Sequence, residues 1–161
     1  MSKYYPSTVE LGEKRMLMSD AAGGEGGRLF ALRKGKPWYF MEEKYPEATD
    51  FVKNYPKRRH YQTIDISSEV ETARENSEIP YFLQWDERWG YETYGSDFLA
   101  VTGCGPTCLS MITCGLTGSE TWNPLTVAQF SEKEGYYVPG EGTSWSLLHE
   151  GSSHLGLTPA T

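Results

Sequence analysis

The sequence has 161 residues, of which 38% are hydrophobic, and a formal net charge of −7. This length suits one domain of ordinary size, or a small domain with an appendage, and no apolar run is long enough to span a membrane. Three cysteines fall within eleven positions, and an odd number packed this closely argues against a disulfide framework.

The charge is divided unevenly along the chain. Residues 1–60 carry 12 Lys and Arg against 8 Asp and Glu, whereas residues 61–161 carry 3 against 14. The opposite charges predict that the two regions attract each other. An acidic main region argues against nucleic acid as the principal partner, although an acidic cell-surface polymer is an alternative partner for the basic segment. The N-terminus lacks the pattern of a signal peptide, so localisation stays open.

Residues 1–60 are expected to form a basic N-terminal extension. Within it, the apolar runs of 28–41 predict a β-hairpin, and the apolar spacing of 46–55 predicts a short helix. Residues 1–27 carry little structural signal. Residues 61–78 are rich in serine and glutamate, a composition typical of a linker.

The main region, residues 79–161, begins with an aromatic and apolar stretch over 79–91. Most of these aromatic side chains are expected to pack in the core. Gln84 is different, because a side-chain amide among apolar neighbours must find a hydrogen-bonding partner. Gln84 is therefore a candidate functional residue.

Three helices are predicted after this stretch. The first opens at Pro106 and closes at Gly118, the second covers 124–131, and the third covers roughly 144–155 with Ser144 as its N-cap. The apolar face of the first helix is expected to hold Leu109, Ile112 and Leu116, with Met111 and Cys108 alongside.

Cys104 lies between two glycines, just before the helix expected at Pro106. The positive end of a helix dipole favours a thiolate there, and the glycines leave room for a carbonyl to approach. This arrangement is typical of a nucleophilic cysteine, with Gln84 and the backbone N–H of Cys104 as candidate oxyanion donors. Cys108 and Cys114 are better explained as small apolar helix residues, since no nearby histidine completes a metal site.

Several spaced motifs resemble the cysteine peptidases of family thirty-nine, the double-glycine leader peptidases, and especially their stand-alone branch in Gram-positive bacteria. They include Ile-Pro-Tyr-Phe-Leu-Gln-Trp-Asp at 79–86, Gly-Cys-Gly-Pro-Thr at 103–107 and Gly-Thr-Ser-Trp at 142–145. The likeness covers residues 79–157. It implies an α+β, papain-like fold with Cys104 as nucleophile and Gln84 in the oxyanion hole, in an extracellular or cell-surface protein.

The resemblance also implies a catalytic His and an Asp or Asn, for which the sequence offers no clear counterpart. Papain-type enzymes place the His about 130–150 residues after the Cys, but only 57 residues follow Cys104. His149 and His154 fall on the third predicted helix and His60 precedes the matching region, so all three are expected to be surface residues. The chain is therefore expected to contain mainly the helical half of a peptidase domain.

These observations predict a cysteine peptidase-like protein that hydrolyses peptide bonds through the Cys104 thiolate. Its expected partners are peptide or protein substrates, without nucleic acid, a membrane segment, a cofactor or a metal ion. Two alternatives stay open: a non-catalytic helical interaction module, and a half-enzyme completed by another chain. An apolar face left uncovered by a missing half would also favour self-association.

Overall fold

A computed structural model describes residues 48–159 and, before them, the backbone of four short strands. The described chain belongs to the α+β class, because helices alternate with two-stranded antiparallel sheets. This class agrees with the sequence prediction. No helix of the described residues combines the length and the apolar composition that a membrane crossing requires.

Two hairpins lie in the N-terminal region. β1 (Thr8–Leu11) pairs with β2 (Lys14–Leu17), and β3 (Leu32–Arg33) pairs with β4 (Lys36–Pro37). The second hairpin falls within 28–41, where the sequence predicted one. The first hairpin was not predicted.

The predicted short helix is present as α1 (Thr49–Asn54), which continues into a 3₁₀ turn at Tyr55–Lys57. Its buried side chains join a core that lies mostly in the later part of the chain. Phe51 stacks on Tyr91 with ring centroids 4.0 Å apart, and the Tyr91 hydroxyl donates to the backbone oxygen of Phe51. Apolar contact therefore holds this part of the extension to the main region.

The prediction of a linker over 61–78 needs correction, because α2 (Ser67–Asn76) forms within it. The backbone N–H and hydroxyl of Ser67 both donate to Asp65 Oδ1, at 2.9 and 2.7 Å, just before the helix. Ile66, Val70 and Ala73 are buried. The overall polar composition of residues 61–78 predicted a linker, but this one narrow apolar side is enough to anchor a helix.

Arg88 fastens α2 to the aromatic stretch. Its guanidinium donates to Glu69 at 2.6 Å, to the backbone oxygen of Asp65 at 2.8 Å, and to both carboxylate oxygens of Asp86. Its Cζ also lies over the Trp89 ring, 4.7 Å from the ring centroid. Residues 65–69 are thus an integral part of the fold.

The remaining elements build the body that surrounds Cys104. They are β5 (Thr93–Tyr94), β6 (Asp97–Phe98), α3 (Leu99–Thr102), α4 (Cys104–Thr117), α5 (Pro124–Lys133), β7 (Tyr137–Val138), β8 (Gly142–Thr143), a π-helical turn (Leu147–Gly151) and α6 (Ser152–His154). β5 pairs with β6, and β7 with β8, both antiparallel. α4 and α5 pack closely against each other.

The second predicted helix is confirmed as α5, and the third is helical but less regular than expected. Ser144 does accept a hydrogen bond from the backbone N–H of Ser146, at 3.2 Å. The next turn, however, is π-helical over Leu147–Gly151 before α6 follows. One continuous α-helix over 144–155 is therefore not formed.

The predicted apolar face of α4 is correct for Leu109 and wrong for Cys108, Ile112 and Leu116, which are exposed. The buried side instead carries small and polar residues, namely Pro106, Thr107, Ser110, Thr113 and Cys114. Two of their hydroxyls donate to backbone oxygens, Thr107 to Gly103 and Ser110 to Trp122. Such bonds allow a hydroxyl to be buried, so hydrophobicity alone misplaced the face.

The apolar docking of α1 leads to a prediction about salt. We expect trypsin to cut the exposed segment at Arg58 and Arg59 at similar rates in low and high salt. Salt screens exposed pairs such as His60–Glu92, because the Debye length falls from about 10 Å at 0.1 M to about 3 Å at 1 M. It does not weaken the stacking of Phe51. A free peptide of the same residues controls for salt effects on trypsin, and cleavage several times faster in high salt would contradict the prediction.

Candidate active site

Cys104 is exposed and is the first residue of α4, a helix of 14 residues. The sequence predicted that the helix opens at Pro106, so it begins two residues earlier than expected. Gly103 joins α3 to α4, and its backbone N–H donates to the oxygen of Leu99 at 2.8 Å. A Cβ atom at Gly103 would lie 2.5 Å from that oxygen. A glycine is therefore required for the sharp junction that places Cys104 at the helix start.

Gly105 packs against β8. A Cβ atom at Gly105 would lie 2.8 Å from Cβ of Thr143, so any larger residue would push β8 away. The hydroxyl of Thr143 is bonded to the Tyr94 hydroxyl at 2.9 Å, and Tyr94 is bonded to Ser131 at 2.7 Å. Close packing, more than access for a carbonyl, explains this glycine.

Tyr94, which is bonded to Thr143, also interacts electrostatically with Cys104. Burial raises the pKa of the Tyr94 phenol, the hydrogen bonds with Ser131 and Thr143 oppose the rise, and electrostatic interaction with Glu132 and then Cys104 adds to it. Tyr94 and Thr143 are neighbours of the candidate nucleophile that the sequence did not indicate. The only signal was the presence of Thr143 in the motif at 142–145.

Gln84 is buried, and its amide has found the partners that its apolar surroundings require. Nε2 donates to the backbone oxygens of Leu99 at 3.2 Å and Ala100 at 3.0 Å. Both acceptors belong to α3, which ends immediately before the junction that leads to Cys104. Gln84 therefore fixes the helical segment preceding the nucleophile, while its role as an oxyanion donor stays a prediction.

The three histidines lie at the surface, as the sequence predicted. His60 contacts the Glu92 carboxylate at 2.6 Å, and His154 packs beside Phe130 with ring centroids 5.8 Å apart. His149 is exposed on the π-helical turn. Among the described residues, no group of three or more His, Cys, Asp or Glu side chains is arranged to hold a metal ion.

The other two cysteines differ from each other. Cys108 is exposed one turn beyond Cys104, so the sequence interpretation of a residue lining the apolar side is wrong for it. Cys114 is buried, and its thiol donates to the backbone oxygen of Trp122 at 3.4 Å. Burial raises the pKa of Cys114 to about 11. Only Cys114 fits the predicted structural role.

Comparison with known proteins gives a partial likeness. The chain is 36% identical over 72 residues to the succinate dehydrogenase flavoprotein subunit of Bacillus subtilis (strain 168). The matched stretch is 45% of this chain and spans 12% of that protein. No protein-family model matches the chain, and no solved structure matches it.

Proposed function

We propose that Cys104 is the nucleophile of a papain-like cysteine peptidase site. The observation that carries the proposal is an exposed thiol on the first residue of a 14-residue helix. Unpaired backbone N–H groups and the helix dipole favour negative charge at that position. The sequence motifs around Gln84 and Cys104 support the same assignment.

The proposed chemistry is acyl transfer. The Cys104 sulfur attacks a peptide carbonyl, a general base takes the thiol proton, and that proton passes to the leaving amine as a thioester forms. Water then hydrolyses the thioester. The backbone N–H of Cys104 and the Gln84 amide would stabilise the oxyanion. The described histidines lie at the surface, and two of them have other neighbours. The general base would therefore come from outside the described residues.

One observation favours a second candidate, a non-catalytic interaction module. The outer side of α4 exposes Ile112 and Leu116, and Leu116 is 68% exposed. Ile79 belongs to the same surface, since a Cβ atom at Gly115 would lie 2.4 Å from its Cδ1. Contiguous exposed apolar residues of this kind are typical of protein–protein contacts.

Timed alkylation with iodoacetamide tests the nucleophile assignment. We expect Cys104 to react first near neutral pH, because the effect of the helix dipole fades within the first turn and is weaker at Cys108. Cys114 should stay unmodified, since a thiol with a pKa of about 11 is almost fully protonated at pH 7. Its labelling should rise only as the pH approaches 11. Mass spectrometry of the digested protein gives the three rates separately.

The variants Cys104→Ala and Cys108→Ala control for the assignment of each labelled peptide. A fluorogenic peptide assay run beside the alkylation should give no measurable hydrolysis by these 161 residues, because the described part of the site has no base in place. Equal labelling of Cys104 and Cys108 would overturn the nucleophile assignment. Hydrolysis that disappears in Cys104→Ala would place the base within the chain, with His149 and His154 the first to test.

A further inference from the structure

Trp145 is the most exposed large apolar side chain of the described residues, at 84%. A tryptophan is rarely left in water, because burying one removes a large apolar surface from solvent. Its backbone is nevertheless bonded into the helical turn that follows, since the oxygen of Trp145 accepts hydrogen bonds from the N–H groups of Leu148 and His149. An exposed aromatic ring on a hydrogen-bonded backbone is typical of a recognition site.

The position of Trp145 relates it to Cys104. Trp145 is two residues beyond Thr143, whose side chain meets Gly105, the residue after Cys104. Two extended residues span at most about 7 Å. Trp145 therefore belongs to the loop that packs against the start of α4. A short peptide bound at Cys104 is long enough to reach this loop.

The net charge of residues 89–161, the part of the chain that contains Cys104 and Trp145, narrows the class of ligand. Residues 89–161 contain one lysine, Lys133, and no arginine. Their carboxylates are Glu92, Asp97, Glu120, Glu132, Glu134, Glu141 and Glu150. Such an excess of negative charge attracts cationic ligands and repels anionic ones.

From these observations we infer that Trp145 forms a subsite for an apolar or aromatic side chain of a cationic peptide substrate. The inference rests on the proposed function of Cys104 and names the substrate class of that site. The indole face packs on the apolar side chain near the scissile bond, and the net negative charge of residues 89–161 favours lysine or arginine elsewhere in the peptide.

Peptide chloromethyl ketones test the subsite on the 161-residue chain without requiring turnover. In this reaction the Cys104 sulfur bonds to the methylene carbon, chloride leaves, and the thiol proton goes to the buffer. We expect a lysine-containing probe with phenylalanine beside the reactive group to label Cys104 about three- to tenfold faster than its glycine counterpart. Replacing its lysine by glutamate should slow labelling at low salt, and high salt should reduce that difference.

The variant Trp145→Ala should abolish the preference for phenylalanine, while Trp145→Phe should keep part of it. The matched control is Tyr81→Ala, which removes another exposed aromatic side chain. Tyr81 lies farther along α4, because the N–H of its neighbour Phe82 contacts Met111 Sδ at 3.2 Å. The Tyr81→Ala variant should therefore keep the full preference for the phenylalanine probe.

Iodoacetamide labelling of every variant separates the two proposals. An unchanged iodoacetamide rate with a lost phenylalanine preference in Trp145→Ala supports the subsite. A phenylalanine preference that survives in Trp145→Ala overturns the subsite and leaves the nucleophile assignment standing. Faster labelling by the glutamate probe overturns the choice of a cationic peptide. Failure of iodoacetamide to select Cys104 in the unmodified chain overturns both proposals.

Discussion

Replacing Phe51 by alanine should lower the free energy of unfolding by about 3–5 kcal/mol, the usual cost of truncating a buried phenylalanine. Phe51 is almost completely buried and stacks on Tyr91. Its surroundings are also tightly filled, since a Cβ atom at Gly90 would lie 2.7 Å from Phe51 Cε2. The truncation should therefore leave a cavity that the neighbours cannot close without moving.

Chemical denaturation followed by circular dichroism measures this loss. Tyr81→Ala is the matched control, because Tyr81 is 76% exposed and a surface substitution of this kind usually changes stability by less than about 0.5 kcal/mol. A loss below about 1 kcal/mol in Phe51→Ala would mean that α1 is dispensable for the stability of the main region. The N-terminal extension would then be a separable appendage.

Replacing Gln84 by alanine should have two effects. The free energy of unfolding should fall by about 1–3 kcal/mol, because the substitution removes a buried amide that donates to the oxygens of Leu99 and Ala100. In a form of the protein that hydrolyses peptides, kcat should also fall roughly a hundredfold or more if the amide stabilises the oxyanion. Stability and turnover are thus both expected to depend on this side chain.

Two further substitutions test which property of the Gln84 side chain, its shape or its donating nitrogen, produces the losses of stability and turnover. Gln84→Glu keeps the shape but replaces the donating nitrogen by an oxygen, so it should lose both the bonds to α3 and the oxyanion donor. Gln84→Met keeps a similar volume without any polar group to satisfy. The rate of Cys104 alkylation per folded molecule reports whether the nucleophile has been displaced, because this reaction forms no oxyanion. A fall in kcat with an unchanged alkylation rate would therefore assign Gln84 to the oxyanion, and a fall in both would assign it to positioning Cys104. Unaltered stability in all three variants would show that the bonds from Gln84 to α3 contribute nothing.

The sequence predicted those helices whose ends are marked by local chemistry. α5 begins where expected because Asn123 precedes Pro124, and Asn123 Oδ1 accepts from the N–H groups of Leu125 and Thr126 at 3.1 Å. α2 was missed because its apolar residues are few and lie among charged ones. The β5–β6 and β7–β8 hairpins were missed because strands of two residues are too short for an alternating pattern to appear.

The orientation of α4 depends on partners that no local pattern identifies. Ser110 and Cys114 are buried because both reach the backbone oxygen of Trp122, in the loop that leads to α5. In the candidate site, Pro106 predicted that Cys104 lies at the start of a helix, which the structure places at Cys104 itself. The contacts of Tyr94 and Thr143 could not be predicted, since they arise only after the β7–β8 hairpin has docked on α4.

The contact between Phe51 and Tyr91 joins residues 40 positions apart, and this separation has a consequence during synthesis. At about 5–20 residues per second, the ribosome releases Phe51 several seconds before it releases the rest of its binding surface, Ala100 and Val101. α1 is too short to be stable alone. During that interval its aromatic side chains are available to chaperones, and the core closes only when the segment that leads to Cys104 has emerged.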